Sequence, residues 1–357
     1  MVIIWGLSAA VAEIKIGVAG PLTGNAQGAG EQLQAGAQRA VADINASGGL
    51  LGQRLELISV DDACDLKQAE AAARQLVTQG VVLVVGHYCS GTSIAASPIY
   101  ETASIVMITP ASTNPKVTEL GHKNVFRVCG RDDQQGVIAG DYLADTHGAS
   151  RIAILHDGQT YGVGLAEVTK RQLNARGITE LMFESYQPEQ KDYLSLVEKL
   201  VAAKVDVLFV GGYVSDTALI IRQAKAKLPD LELVAGDSLA SEDFLITAGE
   251  AGEGTHFTFG PDIRLRPEAA SIVNAFRDVD GYEPAGYTLY SYGAVQAWAQ
   301  AVQKAGSLDA AAVIGALRSE RFDTVLGTIG FDQKGDVTGV NSFIWYAFGK
   351  EDYAPVE

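Results

Sequence analysis

The stretch 86–113, GHYCSGTSIAASPIYETASIVMITPAST, decides how the rest of the chain is read. Just before it and into its first residue, VVLVVG (81–86) is a short apolar run rich in β-branched residues, which predicts a strand buried on both faces. A small polar turn follows, Cys89-Ser90-Gly91-Thr92-Ser93, and then helical spacing over 93–102. A second apolar strand, 105–109, runs into another small polar turn, Pro110-Ala111-Ser112-Thr113. Two neighbouring strand ends therefore carry hydroxyls and free backbone N–H groups, with a helix after the first. Such turns suit a carboxylate, because free N–H groups and the positive end of a helix dipole meet there. In open parallel sheets, ligands bind beyond the carboxyl ends of the strands. The functional reading is a small-anion pocket; the same residues also suit two ordinary strand–helix turns.

Outward from this stretch, apolar runs alternate with helical spacing. Strands are expected at 14–20, 54–60, 81–85, 125–129, 151–156, 180–186, 205–210 and 231–236, with helices at 31–46, 66–79, 133–147, 162–176, 193–203 and 216–227. The βαβ repetition predicts an α/β fold with parallel sheets, in two similar halves meeting near 129–133. After Gly260 the pattern changes to long helices, at 267–280, 289–304 and 310–318, and closes with short strands near 328–331 and 342–348.

The chain has 357 residues, 47% of them hydrophobic, enough for two domains with full cores. With 27 Lys and Arg against 43 Asp and Glu, its net charge of −16 disfavours nucleic acid and anionic membrane surfaces as partners. Residues 1–12 are apolar through Leu7 and carry Ala10-Val11-Ala12 ahead of Glu13, a small-x-small pattern expected of the remnant of an export signal. No Lys or Arg precedes the apolar part, so an apolar N-terminal extension is the other reading.

Cys64 and Cys89 each follow an expected strand, and in one parallel sheet their turns would be close enough to pair. Closing that loop would stabilise the fold by about 3 kcal/mol in the chain-entropy model. Cys129 would remain a free thiol. Five dispersed His residues and no CxxC point to no metal site, and His87 reads as a turn or packing residue. There is no GxGxxG and no GxxxxGK[ST], so no phosphate-binding cofactor is expected. Gly236-Asp237-Ser238-Leu239 spells the signature of the GDSL hydrolases, but the only later His, His256, lacks the Asp-x-x-His pairing that such a nucleophile needs.

From 14 to the C-terminus the chain resembles the leucine/isoleucine/valine-binding family of periplasmic solute receptors. The motifs are AVADINASGGLLG (40–52), DDACDLKQA (61–69), GHYCS (86–90), ITPASTNP (108–115), CGRDDQQG (129–136), HDGQTYGVGLA (156–166), GGY (211–213), YTLYSYGA (287–294) and FDQKGD (331–336). The resemblance implies a type I binding-protein architecture, two Rossmann-like lobes joined by three crossovers, with the ligand in the cleft. It places lobe one at 13–131 and 261–340 and lobe two at 132–260 and 341–357. It also implies a Cys64–Cys89 disulfide, periplasmic location, no catalysis, a monomer, and delivery of an amino acid to the membrane permease of an ABC transporter.

Carried over residue by residue, Ser90 and Thr113 match the holders of the ligand α-carboxylate. The Ala111 carbonyl and the Thr113 hydroxyl match acceptors for its ammonium. Tyr88 and Ser112, in the same two turns, are expected among the ligand contacts as well. Asp132 and Tyr161 match second-lobe cleft residues, and Tyr213 an aromatic wall. Asp237 falls where leucine-type receptors place Glu, the ammonium's carboxylate partner. Tyr287 matches a pocket aromatic, and Ala29 stands where those receptors place a large aromatic. The last departure and the shorter Asp237 imply a roomier pocket for aliphatic or other neutral amino acids. The alternatives are a receptor for another small polar solute, such as an amide or urea, a sensor domain, and an exported hydrolase.

Overall fold

The structure is a computed structural model and describes residues 13–340 and 343–356. The expected export remnant, 1–12, lies outside the described residues. Two sheets organise the chain. The first is wholly parallel, in the order β2-β1-β3-β4-β5: β1 Ile14–Gly20, β2 Leu55–Asp61, β3 Leu83–Gly86, β4 Val106–Thr109 and β5 Val125–Arg127. Helices α1 Gln27–Ala46, α2 Leu66–Gln79, α3 Ser90–Thr102 and α4 Lys116–Glu119 connect them. Strands β3 and β4 are short, apolar and buried throughout, as expected of central strands covered on both faces.

The second sheet holds seven strands, in the order β15-β14-β10-β9-β8-β6-β7. Its parallel part is β6 Ile152–His156, β7 Met182–Ser185, β8 Val207–Gly211, β9 Glu232–Ala235 and β10 His256–Phe259. Helices α5 Asp132–His147, α6 Thr160–Ala175, α7 Leu194–Ala203, α8 Val214–Lys225 and α9 Asp243–Ala248 accompany it. The chain then leaves this sheet for α10 Ala270–Ala275, α11 Thr288–Ala305, α12 Ala310–Ser319 and a three-stranded antiparallel sheet, β11 Phe322–Thr324, β12 Gly327–Phe331 and β13 Val337–Thr338. It returns as β14 Ile344–Phe348 and β15 Tyr353–Pro355, both antiparallel to their neighbours.

The α/β class and its alternation agree with the sequence reading. Several details differ, among them the start of α1, at Gln27 and not 31. Helix α3 begins at Ser90, not 93, because the polar residues 90–92 form its first turn with Cys89 as N-cap. The expected helix 267–280 is divided into a 3-10 turn, the short α10 and a π turn, Phe276–Asp280. The sheets are not all parallel: β14 joins the second sheet antiparallel to β10, and β15 pairs antiparallel with β14.

Helix α11 belongs with the first sheet. It packs along α1, and Gly36 permits the approach, since a Cβ there would lie 2.1 Å from the Thr288 carbonyl oxygen. The chain therefore passes between the two sheets three times, after β5, after β10 and before β14. At the first passage, Arg131 donates to Asp336 at 2.6 Å, and the buried Arg127 donates to the same carboxylate at 2.5 Å. Cys64 and Cys89 are disulfide-bonded, their Cα atoms 5.6 Å apart, which fastens the loop after β2 to the N-cap of α3. Cys129 is a free, buried thiol.

Candidate functional site

The turns after β3 and β4 are bound into one unit by hydroxyls. The His87 carbonyl accepts from Thr109 Oγ1 at 2.7 Å and from Ser112 Oγ at 3.0 Å. Ser112 Oγ also lies 2.9 Å from the Tyr88 carbonyl and 2.7 Å from Ser93 Oγ. Beneath the turns the His87 ring is buried between Asp62, 2.5 Å from Nδ1, and the Tyr100 hydroxyl, 3.0 Å from Nε2. His87 is thus the packing residue the sequence suggests. From the other side Arg127 donates to the carbonyls of Ser112 and Asn114, at 3.0 Å each. Ser112, expected among the ligand contacts, spends its hydroxyl on shaping the turns.

What these turns leave unspent is donor capacity. Helix α3 starts at Ser90, so its first-turn N–H groups have no intrahelical partner, and the positive end of its dipole points out of the turn. Ser90 Oγ accepts the Asn114 N–H at 3.2 Å and keeps its own proton to donate. Thr113 Oγ1 is buried with no hydrogen-bond partner.

Across from this edge stand two buried carboxylates. Asp132, the first residue of α5, is joined to the Thr113 turn by its N–H, which donates to the Thr113 carbonyl at 2.9 Å. Asp237 follows β9 and opens a 3-10 turn, Asp237–Leu239. One amide serves both: Gln135 Nε2 lies 3.0 Å from Asp132 Oδ1 and 2.7 Å from Asp237 Oδ1. Asp237 is saturated further by the Tyr161 hydroxyl at 2.8 Å and by the Tyr287 hydroxyl on Oδ2. Asp132 Oδ2, by contrast, is buried with no partner.

Burial pushes the Asp132 carboxyl well above its ordinary range, and the Asp237 charge adds to it; the nearby Thr113 hydroxyl, outside hydrogen-bond geometry, and Arg127 only partly offset this. Asp237 is raised by burial too, with its three donors working the other way.

Aromatic rings enclose the space. Tyr88 lies 6.0 Å from Tyr213 and 5.9 Å from Tyr287 between ring centroids, and Tyr161 lies 5.2 Å from Tyr213. Burial raises the phenols of Tyr88, Tyr161, Tyr213 and Tyr287, so all four stay neutral donors. Ala29 is buried in the first turn of α1, and Ala111 is buried in the β4 turn. Ser238, the would-be nucleophile, donates to the Gly212 carbonyl at 2.7 Å. Sequence reading missed Gln135, although its position three residues after Asp132 places both on one face of α5. It also missed Arg127, whose partners are remote in sequence.

An array with hydroxyl and N–H donors on one side and carboxylates with phenols on the other fits a small zwitterion. The periplasmic binding protein family matches residues 13–347. A Leu/Ile/Val-binding protein homolog 2 of Brucella abortus is 44% identical over 326 residues, covering 91% of this chain and 88% of the relative. A leucine-, isoleucine-, valine-, threonine-, and alanine-binding protein of Pseudomonas aeruginosa is 38% identical over 345 residues, covering 96% and 92%. Among solved structures, a leucine binding protein of Thermotoga maritima superposes with a TM-score of 0.87 at 26% identity, over 96% of this chain and 98% of that one. The chain belongs to the periplasmic binding protein family and, within it, to the leucine/isoleucine/valine-binding proteins.

Proposed function

We propose that the protein captures a neutral amino acid between two lobes, 13–131 with 261–340 and 132–260 with 341–357, and presents it to an ABC transporter permease from the periplasm. The observation that carries the reading is that two neighbouring buried atoms of the site, Thr113 Oγ1 and Asp132 Oδ2, have no hydrogen-bond partner. Buried polar groups are normally satisfied, and a ligand with a carboxylate and an ammonium supplies what these two lack. Ser90, Thr113 and the first turn of α3 would hold the carboxylate. Asp132 Oδ2 and the Ala111 carbonyl would take the ammonium, with Asp237 adding its charge from behind Tyr161 and Tyr287. This shifts the direct ammonium contact from Asp237 towards Asp132.

Tyr88, Tyr213 and Tyr287 would surround the ligand side chain, with Ala29 leaving room. One methylene in an apolar pocket discriminates by only about 1–3 kcal/mol, so a range of aliphatic side chains is expected to bind. The five amino acids in the name of the Pseudomonas aeruginosa relative support that breadth. A thermal-shift screen of the common amino acids, with acetamide and urea alongside, tests the reading. Leucine, isoleucine, valine and smaller neutral amino acids should raise the melting temperature. A rise with the amides and none with any amino acid would overturn it.

A further inference from the structure

Four contacts join the half built on the five-stranded sheet to the half built on the seven-stranded sheet without passing through the ring of site residues. Asn114 Nδ2 donates to the Thr160 carbonyl at 3.0 Å. Gln32 Nε2 donates to the Ala240 carbonyl at 3.4 Å. The Ser215 hydroxyl donates to the Asn25 carbonyl at 2.6 Å. The Asp243 carboxylate rests against Gly28 in the first turn of α1, where a Cβ would come within 2.1 Å of Oδ2.

Two of these side chains share a design. Each is fixed at one end by its own half and reaches across with the other. Asn114 Oδ1 accepts the Lys116 N–H at 3.0 Å, and the Asn114 backbone is held by Ser90 and Arg127. Gln32 Oε1 accepts the Tyr287 N–H at 2.9 Å. Each crossing also passes over a glycine that makes room for it. A Cβ on Gly164 would lie 2.5 Å from Asn114 Nδ2, and one on Gly286 would lie 2.3 Å from Gln32 Oε1 and 2.4 Å from the Ala240 carbonyl. Both side chains are buried, at 5% and 6% exposure, so neither bond is a chance surface contact.

We propose that Asn114 and Gln32, helped by Ser215 at the rim, form a clasp that sets affinity by holding the lobes together and changes it by the same factor for every ligand. The proposal rests on the two-lobe capture reading above. A ligand that needs both halves binds only where they meet, so its apparent affinity is the intrinsic one multiplied by the fraction of molecules in that arrangement. A bond made only there changes that fraction, and the fraction enters every ligand's affinity alike. A residue that touches the ligand side chain changes different ligands unequally, and one that touches the shared carboxylate has no effect on an amine that lacks it. Asn114 is adjacent to Thr113, so proximity alone would suggest the second role; its amide nitrogen points to Thr160 instead.

The test is calorimetry of Asn114→Ala and Ser215→Ala against wild type with L-leucine, L-isoleucine and L-alanine, with melting of the ligand-free proteins as a control. Loss of a neutral hydrogen bond corresponds to about 2- to 12-fold weaker binding. Asn114→Ala should weaken all three ligands by one common factor in that range through faster dissociation, and Ser215→Ala by a smaller common factor. Factors that differ more than about threefold between ligands, or a loss that disappears when 3-methylbutylamine, which lacks the carboxylate, is titrated alongside, would make Asn114 a ligand contact and overturn the clasp. Unchanged affinity would overturn it as well. If Asn114→Ala does not fold, the Ser215→Ala comparison decides alone by the same criteria. If the wild type binds none of the three, the capture reading fails and the clasp falls with it.

Discussion

The two faces of the site are chemical opposites. The face from the first sheet offers hydroxyls, backbone N–H groups and a helix N-terminus, all carried on turns after β3 and β4. The face from the second sheet offers Asp132 and Asp237, with Tyr161 and Tyr213 beside them. The first is built from main chain and short side chains, so its geometry is fixed wherever the strands end. The second depends on Gln135, a single amide that holds two carboxylates together. In the proposed reading, a zwitterion would turn its carboxylate towards the first face and its ammonium towards the second. It also separates two carboxylates of the same type, one saturated with donors and one with an oxygen to spare.

That separation should show most strongly in stability. Asp237→Ala strands the hydroxyls of Tyr161 and Tyr287 in a buried site, and should lower the stability of the ligand-free protein by about 3 kcal/mol. Asp132→Ala strands nothing, since Gln135 keeps Asp237, and it relieves the repulsion between the two acids. Its stability should lie within about 1 kcal/mol of wild type, or above it. Urea denaturation of both variants tests this; equal losses would mean that the two carboxylates are not differently satisfied. Asp237 is buried and accepts from three donors, so its loss bears on folding as well as on binding.

On the first face, Ser90→Ala should weaken leucine binding by about 1.5–3 kcal/mol, the value of a hydrogen bond to a charged group. It should leave an amine without a carboxylate unaffected. Calorimetry with leucine and 3-methylbutylamine separates the two outcomes, and equal losses for both would remove Ser90 from the carboxylate.

The second face carries a third buried acid at its edge. Burial pushes the Asp157 carboxyl up to about 7, only partly offset by the Gln159 N–H. In the folded protein it keeps its proton to about that pH, whereas the unfolded chain releases it near 4. Between those values the unfolded state binds fewer protons, so this group's contribution to stability declines as pH rises and is gone above about 7. Asp157→Asn should abolish the decline while keeping the acceptor for Gln159. Its melting temperature should match wild type at pH 4 and exceed it by about 1–3 °C at pH 8. A constant difference at both pH values would show that Asp157 ionises normally.

The first face was far more legible in the sequence than the second. Runs such as VVLVVG and the polar turns after them are local, and period and turn chemistry locate them within a few residues. Even there, Ser90, Gly91 and Thr92 read as turn rather than helix, because the residues that suit a helix N-terminus are also turn formers. The second face is assembled from residues 132, 135, 161 and 237, with Tyr287 reaching it from the first half, and nothing local marks Asp237 as the shared acceptor of Gln135, Tyr161 and Tyr287. Its members came from family resemblance. Gln135, central to it, stayed unread because an amide on a polar helix face has no distinguishing pattern. The antiparallel return of β14 and β15 was equally hidden, since strand direction is set by where the preceding crossover ends.

The most direct test of the opposed faces is to bind the two halves of one ligand separately. Calorimetry of the wild type should compare L-leucine with 3-methylbutylamine, which lacks the carboxylate, and 4-methylpentanoate, which lacks the ammonium. Each half-ligand should bind about 100-fold or more weakly than leucine, because each leaves charged or unpartnered groups of one face unmatched. Binding of 4-methylpentanoate within tenfold of leucine would contradict the assignment of Asp132 and Asp237 to the ammonium.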